Sequence, residues 1–185
     1  IIWISCWVAI LILSNFQISK ASDQINESQF KVDNFFKSLK SMQANFIQVG
    51  PSGEVSSGKI YLDLPGKLRI DYEKPNDLLI TSKGFWLTIQ NRNSKTTNNI
   101  PLDSSPFSIL IKKKFDFDSK FLTIDLKNKS GIISLKITKR ENKNAEGLTL
   151  EFSENPFNLK KWIIEDTFGE YTTVLIQKAV YNAKL

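Results

Sequence analysis

The sequence predicts a mainly β protein, built as a curved antiparallel sheet or partial barrel with two short helices. Three observations support this prediction. Apolar and polar residues alternate with a period of two through most of the chain after residue 42, and Gly, Pro and Asn separate the alternating segments at hairpin-like intervals. Helix signals occur in only two places. With 185 residues, 41% of them apolar and 24% charged, the chain has the size and composition of one globular domain.

An N-terminal segment of different character precedes this domain. Residues 1–16 are almost entirely apolar, and this run is shorter than the roughly 20 residues that span a bilayer. The sequence Ser-Lys-Ala at 19–21 fits the small-x-small pattern of a signal-peptidase site. We predict a secretory signal peptide over residues 1–21, cleaved after Ala21, and a single domain over 22–185. An uncleaved membrane anchor is the alternative.

Two helices are predicted. The first covers residues 24–41, which contain no Pro or Gly and place apolar residues near helical spacing. The second is a short helix within 101–114, where Ser104 or Ser105 can cap the N-terminus and Pro106 occupies the first turn. The apolar residues of the first helix are Ile25, Val32, Phe35, Phe36 and Leu39.

Ten strands account for the rest of the chain. In one of them, the segment KLRIDYE, alternation places Leu68, Ile70 and Tyr72 on one face and charged residues on the other. Short turn segments rich in Gly, Pro and Asn separate the strands. The predicted strands are 43–49, 56–64, 67–73, 78–83 and 85–91 before the second helix, and 121–127, 131–138, 147–153, 158–166 and 170–180 after it.

The commonest general base and the commonest metal ligand are missing, and the carboxylates that could still do acid–base work form no recognisable catalytic arrangement. The chain has no histidine, and its one cysteine, Cys6, lies in the predicted signal peptide without the Leu-small-small context of a lipid-attachment site. The segment Gly53–Lys59 fits the spacing of a phosphate-binding loop, but Ile60 stands where Ser or Thr is required and a strand follows where a helix is required. We therefore predict a protein that is not an enzyme and binds no metal or cofactor.

The chain is basic, with a formal net charge of +6. Such a charge suits an anionic membrane surface or an acidic partner, and it is also common on proteins that bind neither. Nucleic acid is excluded as an expected partner, because the chain has only three arginines and is predicted to be secreted.

One side of the predicted sheet is continuously apolar, and only the two helices are available to cover it. This face is either an ordinary dry core or the wall of a cavity that the helices close imperfectly. Periodicity does not distinguish the two. The candidate lining residues are Phe46, Ile60, Leu62, Leu68, Ile70, Tyr72, Leu78, Ile80, Phe85, Leu87, Ile89, Leu150, Phe152 and Trp162.

The order of the segments ANFIQ, GKIYLDLPGKLRIDYEKP, LLITSKGFWLTIQNRNSKT, PFSILI and LTLEFS resembles that of the periplasmic outer-membrane lipoprotein carrier family, LolA, from about residue 25 to 180. The resemblance implies an unclosed antiparallel β-barrel of about ten or eleven strands, covered by short α-helices that form a lid. The lid residues implied are Phe35, Phe36, Leu39, Phe107, Ile109 and Leu110.

The resemblance also implies a function. The protein would be a periplasmic carrier that holds lipoprotein acyl chains in the apolar cavity, receives them from an inner-membrane ABC transporter and passes them to an outer-membrane lipoprotein acceptor. It would act as a monomer, without catalysis and without a cofactor. The alternative is a periplasmic lipid- or lipoprotein-sensing domain of the same fold that does not ferry cargo.

One position departs from the family's pattern. In that family an arginine commonly stands immediately before the proline of the turn that follows the second strand, and it is thought to tie the lid shut by hydrogen bonds. Here Leu64 occupies this position, before Pro65. We expect apolar contacts from Leu64 to take the place of the arginine's hydrogen bonds.

Overall fold

The computed structural model describes residues 24–105, 107–111, 115–140 and 147–184. The predicted signal peptide, residues 1–21, therefore lies outside the described residues. Within the described part of the chain, no helix is long and apolar enough to cross a membrane.

Helix α1 covers residues 24–38, three residues fewer than predicted. The amide of Leu39 still donates a hydrogen bond to the carbonyl oxygen of Phe35 at 2.9 Å, and the first strand starts two residues later. Val32 and Phe36 are buried on the side of the helix that faces the sheet, whereas Ile25 is exposed.

The predicted second helix is present as two short pieces. A 3₁₀ turn covers Leu102–Ser104, and helix α2 covers Phe107–Leu110. Of the two candidate caps, Ser105 fills the role, because its Oγ accepts a hydrogen bond from the amide of Phe107 at 3.2 Å.

Eleven strands form one antiparallel sheet in the order β6-β5-β4-β3-β2-β1-β11-β10-β9-β8-β7. Strands that follow each other in the chain are neighbours, and the pairing of β1 with β11 joins the two halves. The edge strands β6 and β7 do not pair, so the sheet is not closed, and the predicted fold class is confirmed. The strands are β1 Ser41–Val49, β2 Val55–Asp63, β3 Lys67–Tyr72, β4 Leu78–Lys83, β5 Trp86–Asn91, β6 Thr96–Pro101, β7 Leu122–Lys129, β8 Ile132–Lys139, β9 Gly147–Ser153, β10 Asn158–Glu165 and β11 Tyr171–Tyr181.

Strand β6 is the strand that the sequence pattern did not predict. Its sequence, TTNNIP, is mostly polar and exposed, and it contains one apolar residue that packs against the core, Ile100. An edge strand needs little apolar surface because it has a neighbour on one side only, and Pro101 at its end is tolerated for the same reason. The hydrogen bonds to β5 therefore form without the alternation on which the prediction depends.

A β-bulge changes which side chains of β10 point inward. The register with β9 shifts between Leu159 and Lys161, so that Leu159 and Trp162 both point inward although they are three residues apart. Trp162 is thereby placed near the middle of the inner face, opposite Leu150 of β9.

Candidate functional site

The inner face of the sheet collects most of the predicted lining residues. Eleven of the fourteen are buried and two are half-buried, which fits their period-two placement. The buried ones are Phe46, Ile60, Leu62, Leu68, Ile70, Tyr72, Ile80, Leu87, Leu150, Phe152 and Trp162, and the half-buried ones are Leu78 and Ile89.

The prediction for Phe85 is wrong. Its side chain is 87% exposed, because β4 ends at Lys83 and β5 begins at Trp86, so that Phe85 lies in the turn between them. Gly84, at φ +60, forms the other half of this turn. The alternation of inward-pointing residues along β5 runs back from Leu87 to Phe85 in the sequence. It does not apply to Phe85, because this residue lies in the turn and not in the strand.

Strand β8 contributes inner-face residues that were missing from the predicted set. Ile133, Leu135 and Ile137 are fully buried, although β8 lies next to the edge strand β7. The strand itself was predicted, and its own alternation contains the signal that identifies these three residues.

The two helices lie on the inner face through aromatic contacts. Phe35 packs edge-on against Phe152 with ring centroids 5.2 Å apart, and Phe36 stacks on Phe115 at 5.1 Å. Phe107 of α2 packs edge-on against Trp162 at 6.2 Å. Burial of each large apolar side chain stabilises this arrangement by about 1.5–3 kcal/mol. The six predicted lid residues are all at least half-buried: Phe36, Leu39, Ile109 and Leu110 are buried, and Phe35 and Phe107 are half-buried.

The inner face is filled in this structure. Trp162, Phe152 and Met42 are among the side chains with under 2% exposure. A cleft of about 610 Å³ lies outside this core, between α1 and the β9–β10 turn, with Phe30, Phe35 and Phe157 in its lining. Of the predicted lid residues, Phe35 lines this cleft, and none of the predicted cavity residues does. A ligand would therefore reach the inner face only if the helices moved away from it.

The hydroxyl of Tyr72 and the indole N–H of Trp162 are buried among these apolar residues. The hydroxyl of Tyr72 donates a hydrogen bond to Gln48 Oε1 at 2.8 Å, and burial raises the pKa of Tyr72 to about 12. The indole Nε1–H of Trp162 has no hydrogen-bond partner among the described residues. An unpaired buried donor costs roughly 1–3 kcal/mol, so this group gains from any acceptor that enters the inner face.

Polar contacts hold α1 to the C-terminal half of the sheet, at the β9–β10 turn and at strand β7. Lys31 Nζ lies 3.1 Å from Glu154 Oε1, in the turn between β9 and β10, and 2.8 Å from Glu27 Oε1. Asn128 Nδ2 donates hydrogen bonds to Glu154 Oε1 at 3.2 Å and to Ser28 Oγ at 2.9 Å. The hydrogen bond from Lys31, followed by that from Asn128, holds the pKa of Glu154 below its usual range.

Acid is therefore expected to loosen α1. Because the pKa of Glu154 is lower in the folded protein, its contribution to stability is complete above the unfolded value near 4.5 and is lost as the pH falls through the folded pKa. Hydrogen exchange of the α1 amides, followed from pH 7 to 3 and corrected for intrinsic rates, should show this loss. Glu154→Gln should weaken the pH dependence, whereas Glu54→Gln, in the β1–β2 turn, should leave it unchanged. An identical profile in Glu154→Gln would show that this carboxylate does not hold the helix.

The turn between β2 and β3 contacts the other helix. Leu64 is half-buried and packs against the core, and its amide donates a hydrogen bond to the carbonyl of Lys40 at 2.8 Å. The amide of Gly66 donates a hydrogen bond to the carbonyl of Ile111, directly after α2, at 3.0 Å. A backbone hydrogen bond thus joins this turn to the residue that directly follows α2. We call this end of the sheet, with the β2–β3 and β4–β5 turns and the end of α2, the lid end.

In the described ranges, no group of three or more Cys, Asp or Glu side chains is placed to hold a metal ion.

Comparison with known proteins gives a consistent result. The family model described as "Outer membrane lipoprotein carrier protein LolA" matches residues 37–185. An outer-membrane lipoprotein carrier protein of Methylobacillus flagellatus is 29% identical over 158 residues, which cover 80% of this chain and 76% of the relative. The corresponding protein of Methylococcus capsulatus is 26% identical over 163 residues, 83% of this chain and 77% of the relative. An uncharacterized protein of Rickettsia prowazekii is 26% identical over 161 residues, 83% of this chain and 74% of the relative.

Two solved structures share the fold at low sequence identity. An uncharacterized conserved protein from Thermus thermophilus superposes with a TM-score of 0.51 at 13% identity, over 86% of this chain and 90% of that one. The structure of the Pseudomonas aeruginosa MucA/MucB complex matches with a TM-score of 0.51 at 11% identity, over 88% of this chain and 58% of that one. At these identities the likeness concerns the fold alone.

Proposed function

Because the chain belongs to the LolA family of outer-membrane lipoprotein carriers, we propose that it binds the acyl chains of lipoproteins between its sheet and its two helices. The observation that supports this proposal most is the inner face itself. It is apolar across both halves of the sheet, from Leu87 in β5 to Ile137 in β8, and two short helices are its cover.

The physical task fits this surface. Each buried methylene is worth about 0.8 kcal/mol, so that a long acyl chain gains on the order of 10 kcal/mol in a bilayer and leaves it slowly unless another apolar surface receives it. The inner face supplies such a surface once the helices move. The unpaired Nε1–H of Trp162, under Phe107 of α2, then meets the ester or amide carbonyl at the polar end of an acyl chain.

Release of the cargo is part of the same task. In the closed state the helices occupy the site with Phe35, Phe36 and Phe107, so the apolar contacts of the lid compete with those of the ligand. The apparent affinity is lowered by the fraction of molecules that are closed. A carrier needs this compromise, because a site that stayed open and tight would retain the lipoprotein.

The proposed cellular role follows the family. The protein works in the periplasm after export by the segment 1–21, takes lipoproteins from an inner-membrane ABC transporter and delivers them to an outer-membrane acceptor. It performs no catalysis, uses no cofactor and acts as a monomer of one domain, residues 22–185.

Copurification tests the acyl-binding proposal. The protein is co-expressed with a lipoprotein of the same host and with the Cys→Ser variant of that lipoprotein, which cannot be acylated. The acylated form should copurify and the unacylated form should not. Equal recovery of both would contradict an acyl-chain site.

A second experiment separates a carrier from a lipid- or lipoprotein-sensing domain that does not ferry its ligand. Inner-membrane vesicles with the ABC transporter and labelled lipoprotein are supplied with ATP and the purified protein. A carrier releases the lipoprotein into the supernatant as a one-to-one complex. Binding without ATP-dependent release would assign the sensing role.

A further inference from the structure

A row of side chains crosses the outer face of the sheet at the lid end. Trp86 of β5 pairs with Lys83 of β4, and directly paired residues point to the same face of a sheet. The β3–β4 ladder ends at the pair of Arg69 with Thr81, and Lys67 and Lys83 each lie two residues beyond it. Since Leu68 and Leu87 are buried on the inner face, Lys67, Lys83 and Trp86 all point to the outer face.

Two aromatic rings project from the corner of this row. Phe85 is 87% exposed and Trp86 is 53% exposed, and both are at the tip of the β4–β5 hairpin. The tip is held in place, because the carbonyl of Phe85 accepts a hydrogen bond from the amide of Leu102 at 2.8 Å. Large apolar groups held in a water-exposed position are a common mark of a binding surface.

Positive charge lies directly beside the rings. A cleft of about 420 Å³ separates the β2–β3 and β4–β5 turns, and Lys67 and Lys83 line it together with Pro65, Gly66, Ser82 and Gly84. No acidic residue is in this lining. The side chain of Lys67 is 75% exposed while it pairs with Asp63 at 2.8 Å, so its ammonium group also remains accessible to an anion.

We propose that this surface, Lys67, Lys83, Phe85 and Trp86, docks the lid end onto an anionic lipid membrane. Aromatic rings enter the region between headgroups and acyl chains, and lysines beside them are attracted to lipid phosphates. A membrane fits better than a protein partner, because the rings are exposed at a hairpin tip and a fluid interface deforms around such a tip without a matching pocket. Docking would bring the turn that holds α2 through Gly66 to the bilayer surface.

The surface is separate from the inner face, so the test needs no cargo. Protein exported to the periplasm of the expression host, with its N-terminus read from the intact mass, is mixed with vesicles of phosphatidylcholine alone or with phosphatidylglycerol added. We expect sedimentation with the anionic vesicles, weakened by salt, and a blue shift of the fluorescence of Trp86. Trp162, which is 1% exposed, provides a constant background.

Paired variants make the test specific. Phe85→Ser with Trp86→Ser, and separately Lys67→Glu with Lys83→Glu, should each weaken binding to anionic vesicles by about tenfold or more. Phe168→Ser is the matched control, because Phe168 is 88% exposed in the β10–β11 turn at the opposite end of the sheet, and it should bind as the unchanged protein does. No binding to anionic vesicles, equal binding to both kinds of vesicle, or the same loss in Phe168→Ser would overturn the proposal. Acylated lipoprotein should still copurify with both paired variants, which keeps this test distinct from that of the acyl site.

Discussion

Cross-linking α1 to the sheet is expected to abolish acyl-chain binding. The helix covers the inner face through Phe35 and Phe36, and a ligand enters only if it moves. Lys31 and Glu154 offer the place for the cross-link, because they form an ion pair between the helix and the β9–β10 turn and both side chains keep contact with solvent. A protein held in its closed state should lose at least about tenfold in affinity for acylated lipoprotein.

The chain allows a clean version of this experiment. Lys31→Cys and Glu154→Cys are combined with Cys6→Ser, since Cys6 is the one cysteine of the sequence, and a short bifunctional maleimide joins the two thiols. The same protein without the cross-linker should bind cargo at least as well as the unmodified chain, because the ion pair that restrains α1 is gone. A Lys31→Ser, Glu154→Ser protein treated with the reagent controls for side reactions. Undiminished binding after cross-linking would show that α1 is not the lid.

The largest loss of stability from a single added methyl group is expected at Gly58. A Cβ at this position would lie 2.1 Å from the carbonyl oxygen of Asp71 and 2.7 Å from the ring of Phe46. The ring of Phe46 crosses over the glycine to pack edge-on against Tyr72 at 5.0 Å, so both the backbone of β3 and an aromatic pair must shift. Gly58→Ala should reduce the free energy of unfolding by about 3 kcal/mol, which lowers Tm by roughly 10 °C.

Gly147 is the matched control for this substitution. It is also a glycine within a strand, but the atoms nearest to an added Cβ are the ends of the Glu165 and Thr138 side chains, both at 3.4 Å. Gly147→Ala should therefore change the free energy of unfolding by less than about 1 kcal/mol. Thermal and urea denaturation of both variants measure the difference, and equal effects would mean that the close packing at Gly58 is not what limits its replacement.

Alternation was sufficient to predict most of the sheet because a strand with one buried face repeats every two residues. The prediction failed where a segment is not a regular strand with one buried face. Strand β6 is at an edge and has almost no apolar face, so TTNNIP gives no period. Phe85 continues the period of β5 in the sequence but lies in the turn. Leu159, which the predicted set does not contain, points inward together with Trp162 because of a bulge in β10, which is set by pairing with β9 and leaves no mark in the sequence of β10 itself.

The way in which the helices are held over the inner face was harder to predict from the sequence than the face itself. The helical period placed Phe36 and Val32 toward the sheet, and both are buried there. The contacts that hold the lid could not be predicted in this way. The hydrogen bond from Gly66 to Ile111 joins two backbone groups and depends on no side chain. Replacement of the family's arginine by Leu64 could be seen in the sequence, but the bond that ties the turn to α2 could not.

The central claim is that acyl chains enter between the sheet and its helices, and photo-cross-linking from the ligand tests it most directly. A lipoprotein that bears a diazirine on its acyl chain is bound and irradiated, and the modified residues are mapped by mass spectrometry. Alternation within each strand supplies internal controls, since inward and outward residues are neighbours. We predict adducts on Ile60, Leu135 and Leu150 of the inner face. Adducts confined to the outward residues beside them, or to Phe30 and Phe157 in the cleft between α1 and the β9–β10 turn, would contradict the claim.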